Sequence, residues 1–162
     1  MADEKTSAEP FELTKEFMAK ALEAMVTGKA TLKDFRGIDD AQMEAMYAMG
    51  YNFYQAGRNE DAQKVFHVLA VLDNLEPKYW MGLGATFHED GKWEKAAACY
   101  QMALTLDLKD PQPPYRLAEC YAKLGLREQV EGCVEALEKL ADTAGTDYLA
   151  KAKRLLANMK EG

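Results

Sequence analysis

The sequence is poor in almost everything from which an active site is built. Its 162 residues include only two histidines, His67 and His88, and three cysteines, Cys99, Cys120 and Cys133, with no C-x-x-C pair and no histidine close by. That odd, scattered set reads as reduced, packed thiols in a reducing compartment. There is no glycine-rich phosphate loop and no nucleophile beside a base, so no catalytic machinery, metal or cofactor is expected. Long hydrophobic runs are also missing: nothing approaches the roughly 18 apolar residues of a membrane span. The N-terminal MADEKTSAEPFELTKEF lacks a basic region followed by an apolar one, which leads to the expectation of a cytoplasmic protein with no membrane partner. Basic residues are outnumbered, 20 Lys and Arg against 27 Asp and Glu, for a net charge of -7. Such a field repels a phosphate backbone, so nucleic acid is excluded as a partner.

What is present is a repeat. Gly57, Gly91 and Gly125 are spaced by 34 residues, and shifting the chain by that period aligns further positions. With units counted from Met43, Pro77 and Pro111, the seventh position is Met49, Leu83, Leu117, and the eighth Gly50, Gly84, Ala118. The eleventh is Phe53, Phe87, Tyr121. Later in the unit come Ala62, Ala96, Val130, then Phe66, Tyr100, Val134, then Leu69, Ala103, Leu137. Positions four, seven, eight and eleven share one helix face, and the small eighth residue admits a second helix closely. The glycine at position fifteen suits a left-handed turn between the two helices. Each unit is therefore expected to be helix, turn, helix, in an all-α protein with Phe53 in the hairpin interior. Its order resembles the tetratricopeptide repeat, most densely in the second unit, with Trp80, Leu83, Gly84, Phe87, Gly91, Ala96, Tyr100 and Ala103. In the third unit Pro114 stands where the pattern has tryptophan, so looser packing is expected there.

Three tandem repeats over 43–144 (43–76, 77–110 and 111–144) leave two ends that need covers. Residues 145–162 supply one: Tyr148, Leu149, Ala152, Leu155, Leu156 and Met159 fall on one stripe, a capping helix from about Thr146. Residues 10–42 supply the other, a helix over about 10–27, a break at Gly28, and a short turn with Leu32 and Phe35. The polar residues 1–9 are expected to be a disordered tail. One domain results.

Several words of the sequence are more specific than the repeat. They are Tyr47, Tyr51, Tyr54, Gln55 and Gly57, the run ending LAVLD at Asp73, the GLGA of Gly82 to Ala85, and the stretch from Asp107 to Cys120 that contains PYRLAEC. On these the chain resembles the class II chaperones of bacterial type III secretion, over about residues 30–140. The resemblance implies three repeats with flanking helices, a concave face that holds an extended segment of a hydrophobic translocator, and a homodimer formed through N-terminal helices. It also admits a transcriptional regulator as a further partner. A generic interaction scaffold on the same fold is the alternative.

The residues point to the same surface independently. Positions two, five, nine and twelve of the first helices form a second stripe beside the core face. In order they are Glu44, Tyr47, Tyr51, Tyr54, then Lys78, Met81, Ala85, His88, then Gln112, Tyr115, Glu119, Ala122. Tyrosine joins apolar area to few rotatable bonds and a hydroxyl, a combination suited to gripping a peptide. Met81 is an adaptable apolar surface, and His88 is expected as a solvated group on the wall. Met81, Ala85, Lys78, Glu44, Tyr115, Glu119, His88 and the three tyrosines are thus the candidate peptide-binding residues. A repeat domain that clamps an acidic C-terminus would instead have Lys and Asn at positions five and nine, where Tyr47 and Tyr51 stand. Glu60 with Asp61, and Glu89 with Asp90, read as solvated pairs at helix ends.

Overall fold

The structure is a computed structural model that describes residues 15–140 and 146–159. Among these residues the chain is helical, with no strand: α1 (Lys15–Val26), α2 (Leu32–Arg36), α3 (Asp40–Gln55), α4 (Asn59–Leu72), α5 (Pro77–Glu89), α6 (Trp93–Leu106), α7 (Gln112–Lys123), α8 (Arg127–Leu140) and α9 (Thr146–Asn158). The expected tail, 1–9, and the first residues of the expected 10–27 helix lie outside the described residues. The turn carrying Leu32 and Phe35 is a one-turn helix, α2. At its start the Asp34 carboxylate accepts from the Thr31 amide and hydroxyl at 2.6 and 2.9 Å, and Gly37, at φ 64°, ends it.

Three antiparallel hairpins, α3 with α4, α5 with α6 and α7 with α8, stack in order. The glycines that join their helices have φ of 71°, 68° and 73° at Gly57, Gly91 and Gly125, a region closed to most side chains. The first hairpin begins earlier than the repeat count suggests. Asp39 accepts from the Gln42 amide while the Gln42 side chain accepts from the Asp39 amide, so this capping box starts α3 at Asp40. The second helices bury every position the repeat assigns to the core: Ala62, Phe66, Leu69; Ala96, Tyr100, Ala103; Val130, Val134, Leu137.

The first helices conform less evenly. Leu83 and Leu117 are buried at position seven, but Met49 is 45% exposed. Leu83 and Phe87 face Val68 and His67 of α4, in the preceding hairpin. That position looks backward along the stack, and among the described residues no hairpin precedes the first. The Phe53 ring is half-buried rather than interior, as are Phe87 and Tyr121 at the same position of the later units, so position eleven lies at the edge of each hairpin's core; the Arg58 guanidinium is 4.4 Å from the Phe53 ring centre. The third hairpin is well packed despite Pro114. Pro113 and Pro114 are both fully buried in the first turn of α7, where a missing amide proton costs nothing.

Candidate functional site

The first helices α3, α5 and α7 line the inner curve of the stack. Between them lies a cavity of about 220 Å³, bordered by Tyr47, Tyr51 and Tyr54 from α3, Met81, Gly82 and Ala85 from α5, and Gln112 and Arg116 from α7. Its floor is aromatic: the rings of Phe66 and Tyr100, buried residues of α4 and α6, reach it between the first helices. Two glycines make that possible. A Cβ on Gly82 would stand 2.6 Å from the Phe66 ring, and one on Gly84 would stand 2.7 Å from the Tyr100 ring. The GLGA word is thus two close approaches of backbone to ring.

The three tyrosines are not equivalent. Tyr47 packs edge-on to Phe66 at 5.7 Å and lies 6.0 Å from Tyr79. Tyr54 donates from its hydroxyl to Glu89 Oε1 at 3.4 Å, and burial, aided by that carboxylate, pushes its phenol above the usual range. Tyr51 is 48% exposed. It is the ring with most area left to offer a partner.

Of the ten candidate residues, Tyr47, Tyr51, Tyr54, Met81 and Ala85 line the cavity. Glu44 and Lys78 form an ion pair at 2.6 Å, with the ammonium 5.0 Å from the Tyr47 ring. The remaining three, Tyr115, Glu119 and His88, stand beside it without lining it. Tyr115 packs at 5.2 Å on Tyr148 of α9 and donates from its hydroxyl to Glu119 Oε1 at 2.8 Å. Burial, with that carboxylate, pushes its phenol up to about 12. His88 is not solvated. Its ring lies edge-on to Trp93 at 4.9 Å, and its enclosed Nε2 has no hydrogen-bond partner, with Glu119 Oε2 4.0 Å off. Burial lowers its pKa against the pull of Glu119.

Phe66, Tyr100, Gly82 and Arg116 border the cavity without belonging to the stripe read from sequence. Each hairpin of such a stack is rotated relative to the one before. A stripe taken at fixed positions therefore drifts off the cavity: positions five, nine and twelve line it in the first unit, five, six and nine in the second, two and six in the third. Position six, Gly82 and Arg116, is the signal that allowing for this rotation would have found.

The three cysteines are buried, and burial pushes the thiols of Cys99, Cys120 and Cys133 up to about 11, 12 and 12. No group of three metal-ligating side chains gathers among the described residues. None of the described helices is long and apolar enough to cross a membrane. Asp61 pairs with Arg58 at 2.6 Å, and Asp90 accepts from Asn59 and Gln63 at 3.1 and 2.7 Å, pinning the second hairpin to the first. His67 is exposed on α4.

Comparison with known proteins agrees with this architecture. Models of the tetratricopeptide repeat match residues 44–71 and 77–110. The low calcium response locus protein H of Yersinia pestis is 33% identical over 143 residues, 88% of this chain and 81% of that protein. Among solved structures, a type III secretion complex from Aeromonas hydrophila superposes with a TM-score of 0.78 at 31% identity, covering 85% of this chain and 93% of that one. The Yersinia enterocolitica type III secretion chaperone SycD, in complex with a peptide of the translocator YopD, gives 0.69 at 31% identity, over 75% and 95% of the two chains. SycD in an alternative dimer gives 0.68 at 31% identity, over 75% and 94%.

Proposed function

The chain belongs to the family of type III secretion translocator chaperones that includes low calcium response locus protein H and SycD, and from that membership we propose that it holds an extended apolar segment of a hydrophobic translocator in the cavity between α3, α5 and α7. In this role it acts by binding alone, in the bacterial cytoplasm, keeping the cargo soluble and apart from its partners before secretion. One observation carries the assignment. Three tyrosines of one helix border a cavity with an aromatic floor, and the most exposed of them, Tyr51, contributes least to the core. A ring so placed can bury its remaining area only against a partner. The same family membership, with the exposed apolar side chains Leu22, Met25 and Val26 on α1, supports a homodimer formed through the N-terminal helices.

The test is a pair of truncations. Tyr51→Ala is expected to weaken binding of the YopD peptide by about 1–3 kcal/mol, the range of a buried aromatic anchor. Its melting temperature should fall much less than that of Phe66→Ala, which empties a core site at a cost of about 3–5 kcal/mol. Should Tyr51→Ala unfold the protein as badly as Phe66→Ala, the stripe is structural. Should it alter neither fold nor affinity, the cargo binds elsewhere. Apolar contacts dominate this grip, so affinity in the unaltered protein should hold nearly constant between about 0.1 and 0.5 M salt.

A further inference from the structure

Among the side chains that border the cavity, one carries a charge. Arg116 stands in an otherwise apolar and neutral lining, at position six of the third unit. Its guanidinium has five N–H donors in a planar fork. Glu119 holds it: Nη1 donates to Glu119 Oε2 at 2.9 Å, and the other oxygen of that carboxylate accepts from the Tyr115 hydroxyl at 2.8 Å. Tyr115 is in turn packed on Tyr148 of α9. The capping helix, a tyrosine and a carboxylate thus fix the orientation of an arginine at the cavity's edge. A single-point bond to Glu119 leaves the fork able to donate further.

The surroundings decide what it donates to. A carboxylate brought to Arg116 would also approach Glu119, and Glu89 stands nearby beside the Tyr54 hydroxyl. The chain as a whole carries a net charge of -7. A second anion is therefore disfavoured where one already neutralises the guanidinium. A neutral, strong acceptor is not. An extended peptide supplies one at every residue, because its main-chain carbonyls have no internal partner and lose water when the segment enters a groove. The rest of the lining offers phenols, one amide at Gln112, and apolar groups.

Resting on the reading of this cavity as a peptide groove, we propose that Arg116 donates to main-chain carbonyls of the bound segment, beside the anchor gripped by the tyrosines, and so fixes the register in which the segment lies. Glu119 is the positioning residue that holds the fork in place. The tyrosines then select apolar anchors, while Arg116 selects extended backbone of any sequence.

The experiment measures binding of the YopD peptide to the unaltered protein, Arg116→Met and Arg116→Lys, each checked for an unchanged melting transition. Arg116→Met keeps the aliphatic stem and should lose about tenfold or more in affinity, the value of a charge-assisted hydrogen bond. Arg116→Lys, which keeps a charge and donors without the fork, should recover part of it. The loss should be the same at about 0.1 and 0.5 M salt. Replacing peptide amides one at a time by esters, whose carbonyls accept more weakly, should reveal a position that costs severalfold in the unaltered protein and almost nothing in Arg116→Met. Equal binding by Arg116→Met, or an ester cost that ignores the substitution, would overturn the inference while leaving the groove intact. A loss that fades as salt rises would assign the partner as a cargo carboxylate and overturn it too. If Arg116→Met and Arg116→Lys both melt early, the ester scan on the unaltered protein decides alone: no sensitive position means no carbonyl is read. Absence of any peptide binding by the unaltered protein would sink the groove reading, and this inference with it.

Discussion

The two ends of the stack are finished differently. At the C-terminal end α9 lies against both α7 and α8. Ala152 is fully buried there, and Tyr148, Leu149, Leu155, Leu156 and Met159 pack on the same core. Arg127 adds donated bonds to the carbonyls of Leu156 and Met159, at 3.4 and 3.1 Å, which satisfy acceptors that a helix end otherwise leaves open. At the N-terminal end α1 packs extensively on no other helix among the described residues. Its Leu22 and Val26 are 64% and 78% exposed. A repeat stack buries each hairpin's face against its neighbour, so an end is either capped or left available. Among the described residues, the chain caps one end itself and leaves apolar side chains showing at the other.

The sharpest way to test the closed end is to make its cap fail. Ala152→Asp places an unpaired carboxyl where the structure leaves no water, and is expected to cost about 3–4 kcal/mol. In a chain of this size that is a fall of roughly 10 °C in melting temperature. A fall of only a degree or two would mean that α9 is not docked in solution. Between the ends, Gly84→Ala drives a Cβ toward the Tyr100 ring, 2.7 Å away in the unaltered backbone. Overpacking of this kind costs about 1–3 kcal/mol, read as a shifted urea midpoint with unchanged slope. Circular dichroism of each variant should stay helical.

This asymmetry was only half legible in the sequence. The second helices were readable almost completely, because Ala62, Phe66 and Leu69 and their counterparts are buried within their own hairpin or against the next, and that environment recurs with the period. Helix α9 was readable for a similar reason, since its stripe mimics another first helix. Met49 was not, because its position looks toward a preceding hairpin, and among the described residues none precedes α3. Periodicity describes the interior of an array and fails at its boundary. The candidate site shows the same limit in another form. Tyr47, Tyr51 and Tyr54 sit together because one helix carries them, and helical spacing alone brings them to one face. The place of Arg116 depends on the rotation accumulated across hairpins, and the Tyr115 ring is packed by α9, which lies outside the repeat count.

The smallest effect on stability is expected at the open end, and it separates two meanings of the exposed α1 face. Replacing Leu22 and Val26 together by Glu removes apolar area that is largely in water already, so the melting temperature of the single chain should move by no more than about 0.5 kcal/mol equivalent. If that face is instead where two copies meet, each charge would have to enter an apolar interface without a partner. Association should then collapse while folding stays intact. Sedimentation velocity over a range of concentrations reads the two quantities apart: the unaltered chain should shift toward a dimer as concentration rises, and the double variant should remain a monomer with the same circular dichroism. A variant that dimerises as before would move the interface away from α1. A variant that loses several kcal/mol of stability as a monomer would show that α1 covers the first hairpin within its own chain, and the contrast between the two ends would disappear.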